Sequence, residues 1–142
     1  MSERTFVMIK SDALVRGLVG KIIERIEGKG FNIIGLKVLK LSQAQAEELY
    51  AIHLQKPFFK ELIQHIASSS VIVMVVEGFK VIETMRKICG ATNPLEAEAG
   101  SIRGSYGLTV TKNVIHTADS FENAKREISI FFRSEEIVSN KM

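Results

Sequence analysis

The run Val71-Ile-Val-Met-Val-Val76 constrains the fold of this chain more than any other stretch. It is the longest apolar run in the sequence and is far too short to span a bilayer. Preceded by the turn-forming Ser68-Ser-Ser70 and rich in β-branched residues, it predicts a buried strand.

Similar reasoning places strands at Thr5 to Lys10, at Phe31 to Leu41 and near Val114 to His116. Between them the apolar spacing becomes helical. Leu18, Val19, Ile22, Ile23 and Ile26 form one stripe, ended by Gly28 and Gly30. Ser42 is placed to cap a further helix, with Gln45 in capping-box position. A short helix is expected after Pro57, carrying Phe58, Leu62 and Ile66, and another from Phe79 to Ile88, stopped by Gly90. Asp12 to Gly17 reads as a turn, and Ala91 to Tyr106 as a loop rich in glycine and small residues. A loop of that length inside a compact domain is usually functional.

The order is β-α-β, a helical insertion, then β-α-β. It predicts an α+β sandwich of the ferredoxin-like type. At 142 residues the chain is expected to form a single domain, 1–142, with residues 133–142 as a polar, loosely ordered tail. The lone Cys89 cannot close an internal disulfide. No signal peptide is visible at the start, and a cytoplasmic location is the expectation. A net charge of +3 suits polyphosphate ligands without implying nucleic acid.

The candidate chemistry gathers at Asn113-Val-Ile-His116-Thr-Ala-Asp119-Ser120. His116 sits where a strand gives way to a helix, and neutral imidazole is a competent nucleophile near neutral pH. Such a nucleophile needs a partner to orient its other ring nitrogen. In the following helix Phe121, Ala124, Ile128, Phe131 and Phe132 share one face. Glu127 lies on the flank of that stripe, about 40° beyond Phe131, and is expected to be half-buried. Periodicity alone leaves two readings open: an oriented nucleophile, or a strand-end histidine beside a solvated acid. Gly17-Leu-Val-Gly20-Lys21 lacks P-loop spacing, and Ile33 breaks the dinucleotide pattern begun by Gly28 and Gly30. The three histidines make no metal-ligand cluster.

Six blocks in order then matter together. They are Thr5-Phe-Val-Met-Ile-Lys10-Ser-Asp12-Ala, Arg16-Gly17-Leu-Val-Gly20, Lys56-Pro57-Phe58-Phe59, Gly90-Ala-Thr92-Asn-Pro94, Gly100-Ser-Ile-Arg103-Gly104 and the His116 segment. From about Arg4 to Phe132 the chain resembles the nucleoside diphosphate kinases. The resemblance implies a βαββαβ sandwich with a four-stranded antiparallel sheet and added helices. It also implies ping-pong transfer of a γ-phosphate, mainly from ATP, through a phosphohistidine on His116, with little base selectivity. Glu127 would fix the tautomer of His116, with Tyr50 nearby on the helix face of His53. Arg86, Thr92 and Arg103, helped by His53, would hold phosphates. Lys10 and Asn113 would bond the ribose, and Phe58 would stack on the base. Mg²⁺ would arrive on the nucleotide phosphates, with no metal site of the protein's own. The implied partners are nucleoside tri- and diphosphates and further copies of the chain, a hexamer favoured over a tetramer, with no membrane and no specific nucleic acid.

Taken singly, most of these residues have plainer readings. Arginines are commonly solvated, Phe58 beside Phe59 would commonly be core, and Lys10 could snorkel from a strand end. The chain also departs from the family pattern. Ser11 replaces a proline, Thr117 a small residue, and Ala118 a serine whose hydroxyl, in the family, usually bonds the glutamate. Two alternatives compete: a family member acting as a regulatory module, and a ferredoxin-like RNA-binding domain. The first would be expected to lose site residues, and none is missing. The second would display aromatics on its central strands, and Val71 to Val76 has none.

Overall fold

The computed structural model describes residues 2–51, 55–67 and 69–139. Strands β1 (Ser2–Ile9), β2 (Asn32–Lys40), β3 (Ser70–Phe79) and β4 (Ile115–Thr117) form one sheet. Its order is β2-β3-β1-β4 and each pairing is antiparallel. Seven helices connect and cover it among the described residues: α1 (Ser11–Val15), α2 (Val19–Gly28), α3 (Gln43–Leu49), α4 (Phe59–Ile66), α5 (Val81–Cys89), α6 (Ile102–Tyr106) and α7 (Phe121–Phe131).

Both faces of the central strands are covered, which explains the unbroken apolar run in β3. Phe6, Met8, Val71, Val73 and Val75 pack with Ala46 and Leu49 of α3, Leu62 and Ile66 of α4, and Phe131 of α7. Val7, Ile9, Ile72, Met74 and Val76 pack on the opposite side with Ile22 and Ile26 of α2 and Val81 and Met85 of α5. Each such Val, Leu, Ile, Phe or Met side chain, when fully buried, contributes roughly 1.5–3 kcal/mol. The continuous hydrophobicity therefore reflects two cores meeting at one sheet.

Local chemistry sets several boundaries. Ser42 accepts from the backbone N–H of Gln45, and the Gln45 side chain accepts from the N–H of Ser42. That is the capping box expected at the start of α3. Gly30 follows α2 with φ 96°, a conformation that L side chains resist.

Four local expectations are corrected. The turn at Asp12 to Gly17 is largely helical, as α1. The long loop ends in α6, whose Ser101 cap accepts from Gly104 N–H at 3.0 Å. Phe79 closes β3 and does not open α5. Phe121 is 63% exposed, so the core stripe of α7 starts at Ala124. Two residues of the tail contact β2. Lys37 pairs with Glu136 at 2.9 Å, and Val138 N–H donates to Ile34 O at 2.8 Å.

Candidate active site

The junction of β1 with β4 builds the first part of the site. Lys10, just after β1, donates its N–H to Val114 O at 2.9 Å, and Ile115 N–H donates to Asn113 O at 2.8 Å. This tight turn holds Val114 at φ 67°, buried, in a region a β-branched residue rarely enters. Its N–H is satisfied by Asp12 Oδ2 at 3.2 Å. The turn aims the Asn113 amide inward, where Nδ2 donates to Thr92 O at 2.9 Å and Oδ1 accepts from Lys10 Nζ at 2.8 Å. Lys10 Nζ also donates to Thr111 O at 2.6 Å. Lys10 is thus anchored in the interior and does not snorkel. Burial lowers its pKa to about 8, with nearby Asp12 opposing and Arg103 assisting.

His116 follows in β4, opposite Met8 of β1. Its ring meets the edge of Tyr50 at 5.3 Å between centroids and tilts against Phe6 at 6.0 Å. Nε2 lies 2.7 Å from Glu127 Oε1. The glutamate is 2% exposed, far deeper than the half-buried position its helical flank suggested. An imidazole that donates Nε2–H to this carboxylate keeps its lone pair on Nδ1. Ala118 is fully buried and brings no hydroxyl. The other carboxylate oxygen of Glu127 lies 3.6 Å from Arg126 Nη2.

Tyr50 caps the C-terminal end of α3 and does not continue the helix. Burial raises the pKa of its phenol well beyond the usual range, opposed by Arg103 and reinforced by Glu127 and Asp12, so the hydroxyl keeps its proton.

These groups line a cavity of about 840 Å³ that also admits Phe58, Arg86, Thr92 and Arg103. Every candidate among the described residues therefore meets in one cleft; His53 lies outside them, as does the side chain of His65. Arg86 comes from the exposed side of α5 and Phe58 is half-buried ahead of α4. Arg103 on α6 is 9% exposed, donating Nη1 to Gly90 O and Nη2 to Ile115 O, both at 2.8 Å. Its Nε is buried without a hydrogen-bond partner. A second cavity of about 860 Å³, beside α3 and α4, contains none of the candidates. Cys89, at the end of α5, is buried, and burial pushes its thiol up to about 11.

Three contributors escaped the sequence reading: Asp12, which holds Val114; Asp119, whose carboxyl is held below its usual range chiefly by the Asn123 amide; and Arg126. The Asp119–Asn123 contact, four residues apart, and the Arg126–Asn123 contact, three apart, are local in the chain.

A family model described as nucleoside diphosphate kinase matches residues 3–137. The chain belongs to the nucleoside diphosphate kinase family. As a member it is an enzyme, a nucleotide-binding phosphotransferase. A nucleoside diphosphate kinase of Carboxydothermus hydrogenoformans is 53% identical over 137 residues, spanning 96% of this chain and 92% of that one. The structure of a halophilic nucleoside diphosphate kinase from Halobacterium salinarum in complex with CDP superposes with a TM-score of 0.95. It is 40% identical and covers 100% of this chain and 95% of that one. A transition-state mimic of the Borrelia burgdorferi enzyme, with bound vanadate and ADP, superposes at 0.93 with 33% identity. There the match covers 99% of this chain and 93% of the other. These nucleoside diphosphate kinases share the antiparallel sheet and added helices described above.

Proposed function

We propose that this nucleoside diphosphate kinase works by a ping-pong cycle through a phosphohistidine on His116, moving the γ-phosphoryl group of a nucleoside triphosphate, mainly ATP, to a nucleoside diphosphate. The observation that carries the reading is the 2.7 Å contact of His116 Nε2 with the buried Glu127 carboxylate. It leaves Nδ1 as the nucleophilic nitrogen. In the first half-reaction an N–P bond forms at Nδ1 while the bond from the γ-phosphorus to the β-γ bridging oxygen breaks. The nucleoside diphosphate leaves with that oxygen. A terminal oxygen of the second diphosphate then attacks the same phosphorus, and the N–P bond breaks.

Glu127 holds Nε2–H throughout, and Tyr50 walls the ring. Arg86, Arg103 and Thr92 bind phosphate oxygens as charge shifts between donor and acceptor; a planar guanidinium suits that task. Lys10 and Asn113 bond the ribose hydroxyls. Phe58 stacks on the base, a contact that every nucleobase can make, which favours low base selectivity. Binding of CDP by one relative and ADP by another is in keeping with that.

Mg²⁺, held by the nucleotide's own phosphates, would supply charge neutralisation at the phosphate oxygens beside Arg86, Arg103 and Thr92. Among the described residues no group of three or more His, Cys, Asp or Glu side chains could hold a metal ion. No helix among the described residues is long and apolar enough to cross a membrane. We further assign the chain to the cytoplasm and to a homo-oligomer, a hexamer in preference to a tetramer.

Incubation with ATP labelled at the γ position should give an acid-labile phosphoprotein that GDP or CDP discharges. His116→Ala should not label. Undiminished labelling of that variant would overturn the assignment.

A further inference from the structure

We propose that Arg126 is a positioning residue for the His116–Glu127 pair, coupling the glutamate to the end of α3. The inference rests on His116 being the nucleophile, as argued above. Arg126 does not line the nucleotide cavity. Its side chain is one-third exposed, yet its donors reach the end of α3 and, within α7 itself, Glu127 and Asn123. Nη1 donates to Glu48 O at 2.8 Å and Nη2 to Leu49 O at 3.4 Å, the closing carbonyls of α3. Nη2 also stands 3.6 Å from Glu127 Oε2. Nε donates to Asn123 Oδ1 at 3.4 Å, and Asn123 Nδ2 in turn donates to Asp119 Oδ1 at 2.6 Å.

Three physical consequences follow from this one guanidinium. First, the carbonyls it satisfies are among those a helix leaves unpaired at its C-terminal end, where a cation is also favoured by the helix dipole. Second, the residue after Leu49 is Tyr50, whose ring edges onto His116. Tying α7 to Leu49 O therefore helps fix the spacing between the glutamate and the tyrosine ring, both of which contact the imidazole. Third, an ordinary surface ion pair is worth little, but here one partner is 2% exposed. With one carboxylate oxygen drawn toward Arg126, the other remains aimed at His116 Nε2. The planar fork is what permits simultaneous contact with two carbonyls and a carboxylate, which an ammonium could not reproduce.

Two variants and two readouts test this. Arg126→Gln should lower the single-turnover rate of phosphoryl transfer from ATP to His116 on the order of tenfold, as for a small misplacement of reacting groups. Apparent nucleotide affinity should stay within about twofold of wild type. Arg126→Lys, which keeps charge without the fork, should recover part of the rate. Independently, ¹⁵N spectra of the imidazole should show His116 held as the Nε2–H tautomer in the wild type, with that bias reduced in Arg126→Gln. A native transfer rate and native tautomer in Arg126→Gln would overturn the proposal. So would a loss of rate and nucleotide affinity together, with Lys no better than Gln, since that pattern marks general damage. If Arg126→Gln does not fold, Arg126→Lys decides: a reduced rate with nucleotide affinity kept supports the role, and a native rate refutes it. A wild-type chain that accepts no phosphoryl group would instead remove the assignment of His116, while the tautomer comparison would still judge Arg126.

Discussion

Asp12 and Val114 lie 102 residues apart, yet the carboxylate of one accepts the backbone N–H of the other at 3.2 Å. That bond supports a left-handed valine whose immediate neighbour Asn113 holds Lys10, and which stands two residues before His116. Strain of this kind costs of order 1–3 kcal/mol and persists only where surrounding contacts over-determine it. Asp12→Ala should therefore destabilise the fold by about 1–3 kcal/mol, the cost of an unmet buried amide. A denaturant midpoint indistinguishable from wild type would refute this.

Glu127→Ala should slow phosphoryl transfer by on the order of 100-fold, because the imidazole loses the group that fixes its orientation. Glu127→Gln keeps an acceptor oxygen within reach of Nε2–H and should lose less. Rapid-quench measurement of phosphoenzyme formation separates the two; equal losses would argue against orientation as the role.

Lys10 gives a pH-dependent signature in stability. Its pKa falls from 10.5 when unfolded to about 8 when folded, because burial disfavours the charged form. Between those values the unfolded chain binds more protons, so this group makes stability rise with pH across the window from about 8 to 10.5. Below about 8 both states carry the charge, and the burial cost is felt in full. Compared with Lys10→Met, the wild type should gain on the order of 3 kcal/mol over that interval. Urea titrations of both proteins at pH 7 and pH 10.5 check the sign.

Ala118 tests a departure from the family pattern. Ala118→Ser should modestly raise melting temperature and turnover if a hydroxyl there helps hold Glu127, and its benefit should be larger when Arg126 is replaced. No change in either quantity, in either background, would count against the idea.

Gly104 admits no side chain. A Cβ there would sit 1.8 Å from Glu98 O, a backbone atom that cannot swing away. Gly104→Ala should force α6 off its seat, displacing Arg103 and lowering both thermal stability and activity. Retention of wild-type melting and turnover would show that the loop yields more easily than its packing suggests.

Much of this architecture could be read from the chain because its signals are local. The β-branched run of β3, the Ser42–Gln45 cap and the glycines closing α2 each depend on near neighbours. The family was legible through its ordered blocks. What escaped depends on distant partners. Five-residue α1 carries no side-chain cap to announce it. Nothing around Val114 warns of a left-handed valine, since the bond that supports it comes from Asp12. Helical periodicity gave the direction of Glu127 but not its depth, which is set by α3 and β4 closing over it. The same periodicity included Phe121, because a stripe drawn on a helix does not say where the neighbouring layer stops.

Cys89 is the chain's one thiol, and it is fully enclosed at the end of α5. The next residue, Gly90, offers its carbonyl to Arg103 at 2.8 Å. A sulfhydryl reagent can reach that sulfur only when the helix end lifts away. Its alkylation rate is thus a built-in clock for opening of the cleft floor, readable without any engineered probe, and a nucleotide that tightens the cleft should slow it.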